Sequence, residues 1–282
     1  MIEAQYLDID GALGFVEIVT PDNRRDIETP TVLCLHTAGQ SGVQWRHAAS
    51  ALADRGYRVI VPDLPGHGRS EPALDGPITS IVVFADWLGK VLDALAVERP
   101  FVMGCSIGGK LTLELATRPT RPLAGAIAME AEAGPGRVNV GGLRRELEDV
   151  AGPSRADRTY LGTLASVGRS VPEAQARLIA TMHKREDPEI SSSDLIAWGT
   201  HDVRDRLADI TCPIRLVAGA QDPWIQVGLV EQAAARIEDA RPGSTTFTLL
   251  DDIGHYPMEE IDDFASVADG WLTELRTAAV LS

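Results

Sequence analysis

The chain has 282 residues, 44% of them hydrophobic and 24% charged, and its 26 basic and 41 acidic side chains give a formal net charge of −15. That length can bury a large core, and that composition excludes disordered and fibrous classes. The acidic balance repels phosphate backbones and anionic lipid over most of the surface, so neither nucleic acid nor a membrane is an expected partner.

The opening MIEAQYLDIDGALG lacks a basic stretch followed by an apolar one, and no window approaches bilayer-spanning length, so a cytoplasmic location is expected. Cys34, Cys105 and Cys212 are odd in number and set in apolar runs, which points to buried thiols rather than disulfides or a metal site.

Residues 3 to 20 read as two strands joined at the Asp10-Gly11 pair, because DG between alternating apolar runs favours a tight hairpin. After a polar loop come two continuous apolar runs, TVLCLHT (31 to 37) and RVIVPD (58 to 63), with an amphipathic helix expected from Val43 to Arg55 between them. That βαβ rhythm repeats: a helix over 78 to 97, a strand over 100 to 106, a helix over 107 to 117 and a strand over 123 to 130. From 131 to 207 the alternation stops. The stretch is polar and helical, broken by GPG (134 to 136) and GPS (152 to 154), and reads as an inserted helical cap on a core made of 1–130 and 208–282. The rhythm resumes with a strand over 214 to 220, a helix over 227 to 237, a strand over 246 to 250 and a closing helix from 261 to 278.

Gly104-Cys105-Ser106-Ile107-Gly108 fits G-x-S-x-G, in which small residues flank a serine because a sharp strand-to-helix turn crowds their backbones. The motif follows an apolar strand and opens a helix, the setting of an exposed nucleophile. A serine hydroxyl needs a base to take its proton, and His255, in DDIGHYPMEE directly after the last strand, stands where that base is expected. The imidazole in turn needs an acid to fix its tautomer. Asp222 in GAQDPW and Glu130 at the end of the preceding core strand are alternatives, with Asp222 favoured. An oxyanion would be met by the backbone N–H of Ile107, next to the nucleophile, and of Ala38, in the loop after TVLCLHT. His36 is expected to hold that loop, and His183 and His201 are expected to be solvated.

With these motifs in order (HTAGQ, PDLPGHGRS, GCSIGG, GAQD and GHYP), the chain resembles the α/β-hydrolase superfamily over nearly its whole length. The resemblance implies a mostly parallel eight-stranded sheet flanked by helices. It also implies that Asp63, Gly66, His67, Gly68, Arg69 and Ser70 shape a structural loop, so His67 is not the base. Thr37 stands where a glycine commonly follows the histidine of the oxyanion loop. AMEAEAG resembles the corresponding segment of zearalenone-type lactonases, whose acid follows the sixth strand, and this keeps Glu130 open.

A serine at the elbow argues against dehalogenases and epoxide hydrolases, which need aspartate there, and leaves acyl chemistry. The expected activity is hydrolysis of a carboxylic ester or lactone of a small to medium-sized, largely apolar molecule, without metal or organic cofactor. Carbon-carbon bond hydrolysis of a diketone, cofactor-free oxygenation and ligand reception are alternatives on the same fold. Thr37, Leu143, Leu164, Met182, Ile196 and Trp198 are candidate pocket residues. A small molecule is the expected partner, and a homodimer is left open.

Overall fold

The computed structural model describes residues 1–22, 29–148 and 155–281. Most of the polar loop expected after residue 20 and the GPS break at 152–154 lie outside the described residues.

Strands β1 (Ile2–Ile9) and β2 (Ala12–Val19) form the expected hairpin. Its two-residue turn holds Asp10 at φ 58° and Gly11 at φ 85°, the left-handed pair that makes a turn twist with its strands. Six further strands follow: β3 (Thr31–Leu35), β4 (Arg58–Pro62), β5 (Phe101–Cys105), β6 (Gly125–Met129), β7 (Ile214–Gly219) and β8 (Thr245–Leu250). The sheet order is β1-β2-β4-β3-β5-β6-β7-β8, antiparallel at the hairpin and parallel from β4 to β8. This is an α/β-hydrolase fold with a mostly parallel eight-stranded sheet.

Strands β3 to β7 are buried on both faces, which is why they read as unbroken apolar runs rather than alternating ones. Helices α2 (Ile81–Ala94), α3 (Ile107–Ala116) and α8 (Val227–Ala240) pack one core cluster, with Phe84, Leu88, Leu111 and Ile237 at its centre. The opposite cluster lies under α1 (Ala48–Asp54) and α10 (Phe264–Leu281) and contains Trp45, Leu52 and Leu272. The single helix expected from Val43 to Arg55 is in fact a 3-10 turn, Gly42–Trp45, followed by α1. Trp45 is fully buried in that turn, so tertiary packing overrides a continuous helix there.

Between β6 and β7 run α4 (Val140–Glu148), α5 (Arg155–Ser166), α6 (Glu173–His183) and α7 (Pro188–Thr200), which form a helical insertion. A 3-10 helix, Arg204–Asp209, crosses the boundary expected at 207 and packs against α8. The closing helix begins at Phe264 rather than Ile261, after a short turn α9 (Pro257–Glu260). Among the described residues no helix is long and apolar enough to cross a membrane.

The parallel registers bring one set of strand ends together. Leu35 pairs with Gly104, Cys105 with Met129 and Met129 with Val217, so the loops that begin at His36, Ser106, Glu130 and Ala220 leave the sheet along one edge. In an open parallel sheet that carboxyl edge is where ligands are met.

Candidate active site

Ser106 sits between β5 and α3 at φ 59° and ψ −115°, a conformation that L residues rarely hold. Three glycines make the turn possible. A Cβ at Gly104 would lie 2.1 Å from the Gly108 carbonyl oxygen, one at Gly108 2.4 Å from the Leu35 oxygen, and one at Gly109 2.4 Å from the Met129 oxygen. Only backbone without side chains lets α3 start so close to three strands. The Ser106 N–H donates to Met129 O at 2.9 Å and its carbonyl accepts from Lys110 N at 2.9 Å, which fixes the strained residue from both sides.

His255 lies in the loop after β8. Its N–H donates to Ser166 O at the end of α5 at 2.8 Å, and Cys105 Sγ donates to its carbonyl at 3.2 Å. The buried carboxylate of Glu260 gathers the loop, accepting from the amides of Gly254, Tyr256 and Gly168 at 2.7, 2.8 and 2.9 Å. His255 Nδ1 is 2.5 Å from Asp222 Oδ2, while Asp222 Oδ1 accepts from the Trp224 and Ile225 amides at 2.8 and 3.3 Å. Burial works against charge on Asp222, yet His255, the Trp224 amide and the Glu130 side chain hold its carboxyl below the ordinary carboxylate range.

Glu130 ends β6 at φ 48°, fully buried, and accepts from Gly219 N at 2.6 Å. One oxygen of Glu130, one of Asp222 and one nitrogen of His255 lie within 4.8 Å of one another. Burial first, and the Asp222 charge second, push Glu130 well above the usual carboxylate range, so this carboxyl is neutral where Asp222 is charged. The acid bonded to the imidazole is therefore Asp222, and Glu130 stands behind it.

The loop after β3 is held by a separate set of bonds. The Leu64 amide donates to His36 Nε2 at 3.1 Å, which leaves Nδ1–H to donate to Thr37 O at 2.9 Å. Burial, with the nearby His67, lowers the His36 pKa to about 4, so the ring is neutral and structural. His67 is buried against Asp194 at 2.7 Å, away from the cavity described next. Around Ala38 the amides are committed: Thr37 N–H to Gln44, Gly39 N–H to Asp194 and Gln40 N–H to Thr37 O. Ile107 opens α3, where a first-turn N–H has no acceptor within the helix.

A cavity of about 420 Å³ brings Thr37, Ala38, Ser106, Trp198, Trp224 and His255 to one wall system, with further walls from the insertion. Trp224 stands edge-on to His255 with ring centroids 4.6 Å apart, and Tyr256 does the same at 5.0 Å.

The sequence profile of the family described as alpha/beta hydrolase fold matches residues 30–183. The chain belongs to this family. It is 30% identical over 269 residues to the dihydrolipoyllysine-residue acetyltransferase component of the acetoin cleaving system of Cupriavidus necator, across 92% of this chain and 66% of that protein. It is 29% identical over 201 residues to the 3-hydroxybutyrate-oligomer hydrolase of the same organism, across 67% of each. The chain thus spans about two thirds of the length of these curated relatives. The solved enol-lactonase from Burkholderia xenovorans LB400 superposes with a TM-score of 0.79 at 20% identity, covering 95% of this chain and 100% of that one. At that identity the likeness is one of fold.

In this member of the α/β-hydrolase-fold family the candidate pocket residues divide. Thr37, Leu143 and Trp198 line the cavity with Ser106 and His255. Met182 does not: it lines a second cavity of about 560 Å³ beside Gln44 and Arg46. Leu164 lines neither, and Ile196 is buried on α7. His183 and His201 are not solvated. His183 Nε2 meets Glu259 Oε2 at 2.7 Å, and His201 Nε2 meets Glu114 Oε2 at 3.0 Å, both pairs buried. Sequence reading also missed Trp224 and Tyr256, although each adjoins a motif it used, DPW and GHYP.

Proposed function

We infer that this hydrolase cleaves a carboxylic ester or lactone of a small to medium-sized, largely apolar molecule through an acyl-enzyme on Ser106. The observation that carries the inference is the conjunction of a strained serine at a helix start and a histidine bonded to a buried carboxylate, both lining one cavity. In this reading Ser106 Oγ attacks the acyl carbon while His255 takes its proton. Asp222 keeps the Nδ1–H tautomer and stabilises the imidazolium. The amides of Ile107 and Ala38 donate to the oxyanion as it forms. The imidazolium then protonates the leaving alkoxide, and the neutral ring activates the water that releases the acid.

The cavity volume and its tryptophan walls suit a compact organic acyl compound. The names of two similar proteins, a 3-hydroxybutyrate-oligomer hydrolase and an enol-lactonase, fit the same chemistry. A cytoplasmic setting belongs to the proposal, supported by three buried free thiols; burial pushes that of Cys212 up to about 12.

Treatment with a fluorophosphonate probe, read by intact mass, tests the reading. Wild type should gain one adduct, and Ser106→Ala and His255→Ala none; a panel of aryl esters and lactones then identifies the acyl class. A folded wild type that takes no adduct overturns it.

A further inference from the structure

We propose that Asp194, on α7 of the insertion, is a positioning residue for the loop that presents the Ala38 amide to the oxyanion. The proposal rests on the acyl-transfer reading above. One carboxylate oxygen, Oδ2, accepts from Gly39 N–H at 2.8 Å and meets His67 Nε2 at 2.7 Å. The residue it grips is therefore the immediate neighbour of Ala38. The other neighbour is braced from the same insertion through a relay. Thr37 N–H donates to Gln44 Oε1 at 2.8 Å, Gln44 Nε2 donates to Glu259 Oε2 at 3.0 Å, and His183 on α6 meets that same oxygen at 2.7 Å. Gln40 Nε2 adds a bond to His183 O at 3.1 Å.

The fit is close as well as polar. Gly39 is at φ 67°, and a Cβ there would lie 2.6 Å from Glu186 Oε2 and 2.9 Å from Ser191 Cβ, so the insertion rests directly on the loop. Asp194 is fully buried, and its second oxygen has no hydrogen-bond partner among the described residues. A half-satisfied buried carboxylate is a costly choice for stability alone, and an apolar residue of similar size is often better tolerated. What the carboxylate does that an apolar side chain cannot is fix the direction of the 38–39 backbone. Asp194 lines neither cavity, so it reaches the reaction only through the loop. Seating of the insertion and alignment of the Ala38 amide thereby become one event.

The experiment compares wild type with Asp194→Ala, Asp194→Asn and Asp194→Leu, reading ester turnover and backbone amide exchange over residues 36–46. An asparagine oxygen can accept the same two bonds. Leucine fills the same space without an acceptor and serves if the alanine variant does not fold. Loss of the hold should lower kcat by about tenfold to a hundredfold with KM within about threefold, and should speed loop exchange. Asp194→Asn should restore both to near wild type. Unchanged loop exchange in the alanine and leucine variants overturns the proposal. So does faster exchange with kcat intact, a loss confined to KM, or an asparagine variant as impaired as alanine. If wild type itself neither labels with fluorophosphonate nor turns over esters, the acyl reading is what fails, and loop exchange alone then decides whether Asp194 holds the loop. Arg177→Ala, on the exposed side of α6, is the control that should change neither readout.

Discussion

Glu130 and Asp222 bring two carboxyls against one imidazole, and only one of them is bonded to it: Asp222 Oδ2 lies 2.5 Å from His255 Nδ1, while Glu130 accepts from the Gly219 amide. Two buried carboxylates this close cannot both ionise cheaply, and the one paired with histidine keeps the charge. Asp222→Asn should therefore cost turnover heavily, on the order of 10⁴-fold by analogy with the serine-protease acid. Glu130→Gln, which replaces a neutral acid with a neutral amide, should cost less than about tenfold. Steady-state kinetics of the two variants decide it. Equal losses would mean that the pair acts as a unit.

The same pair predicts a pH dependence of stability. Glu130 has a folded pKa well above its ordinary value, which is about 4.3 in an unfolded chain. The folded state then binds the extra proton, so the stability Glu130 contributes is complete below that ordinary value and is lost as pH rises toward the raised one. Glutamine has no proton to hold. The melting temperature of Glu130→Gln relative to wild type should thus rise between pH 5 and pH 8, and a difference that is flat with pH would contradict a neutral Glu130.

Much of the frame was legible because it is local. Continuous apolar runs announced strands buried on two faces, Asp10-Gly11 announced a hairpin, and Gly104, Gly108 and Gly109 announced a turn that only bare backbone can make. What was not legible depends on distant partners. His183 and His201 sit in polar, helical sequence that reads as solvated, yet their carboxylates are 76 and 87 residues away in the chain. Ser191 to Asp194 looks like a hydrophilic stretch and is buried throughout, and two of its residues, Ser191 and Asp194, meet Gly39 in the loop after β3 rather than water. The acid remained divided between Asp222 and Glu130 because both follow the ends of neighbouring strands, β7 and β6, and only their side-chain partners separate them.

The strain at Ser106 can be measured apart from its chemistry. At φ 59°, ψ −115° an alanine keeps the unfavourable conformation, whereas glycine adopts it readily. Both Ser106→Ala and Ser106→Gly should abolish probe labelling. The glycine variant should nevertheless be the more stable of the two by about 1 kcal/mol, the reverse of the usual order. Chemical denaturation of the two variants tests this, and greater stability of the alanine variant would show that the elbow stores no strain.

Trp224 provides a test of what the cavity binds. The residue is 43% exposed, and its ring stands edge-on to His255 at 4.6 Å in the wall of the cavity that Ser106 shares. Two effects of Trp224→Ala compete. If the indole is chiefly an apolar wall for substrate, its removal should raise KM for long-chain esters and change little for acetyl esters, since only the longer chain reaches it. The loss in kcat/KM for the long ester would then be roughly 1–3 kcal/mol, the value of burying an apolar side chain. If the ring instead holds the imidazole in place, kcat should fall by the same factor for every ester. The Asp222 bond at 2.5 Å and the Ser166 bond to the His255 amide already fix the ring without Trp224. The chain-length dependence is therefore the expected result, read from kcat/KM across a homologous series of p-nitrophenyl esters, and a uniform fall in kcat would reassign Trp224 to supporting His255.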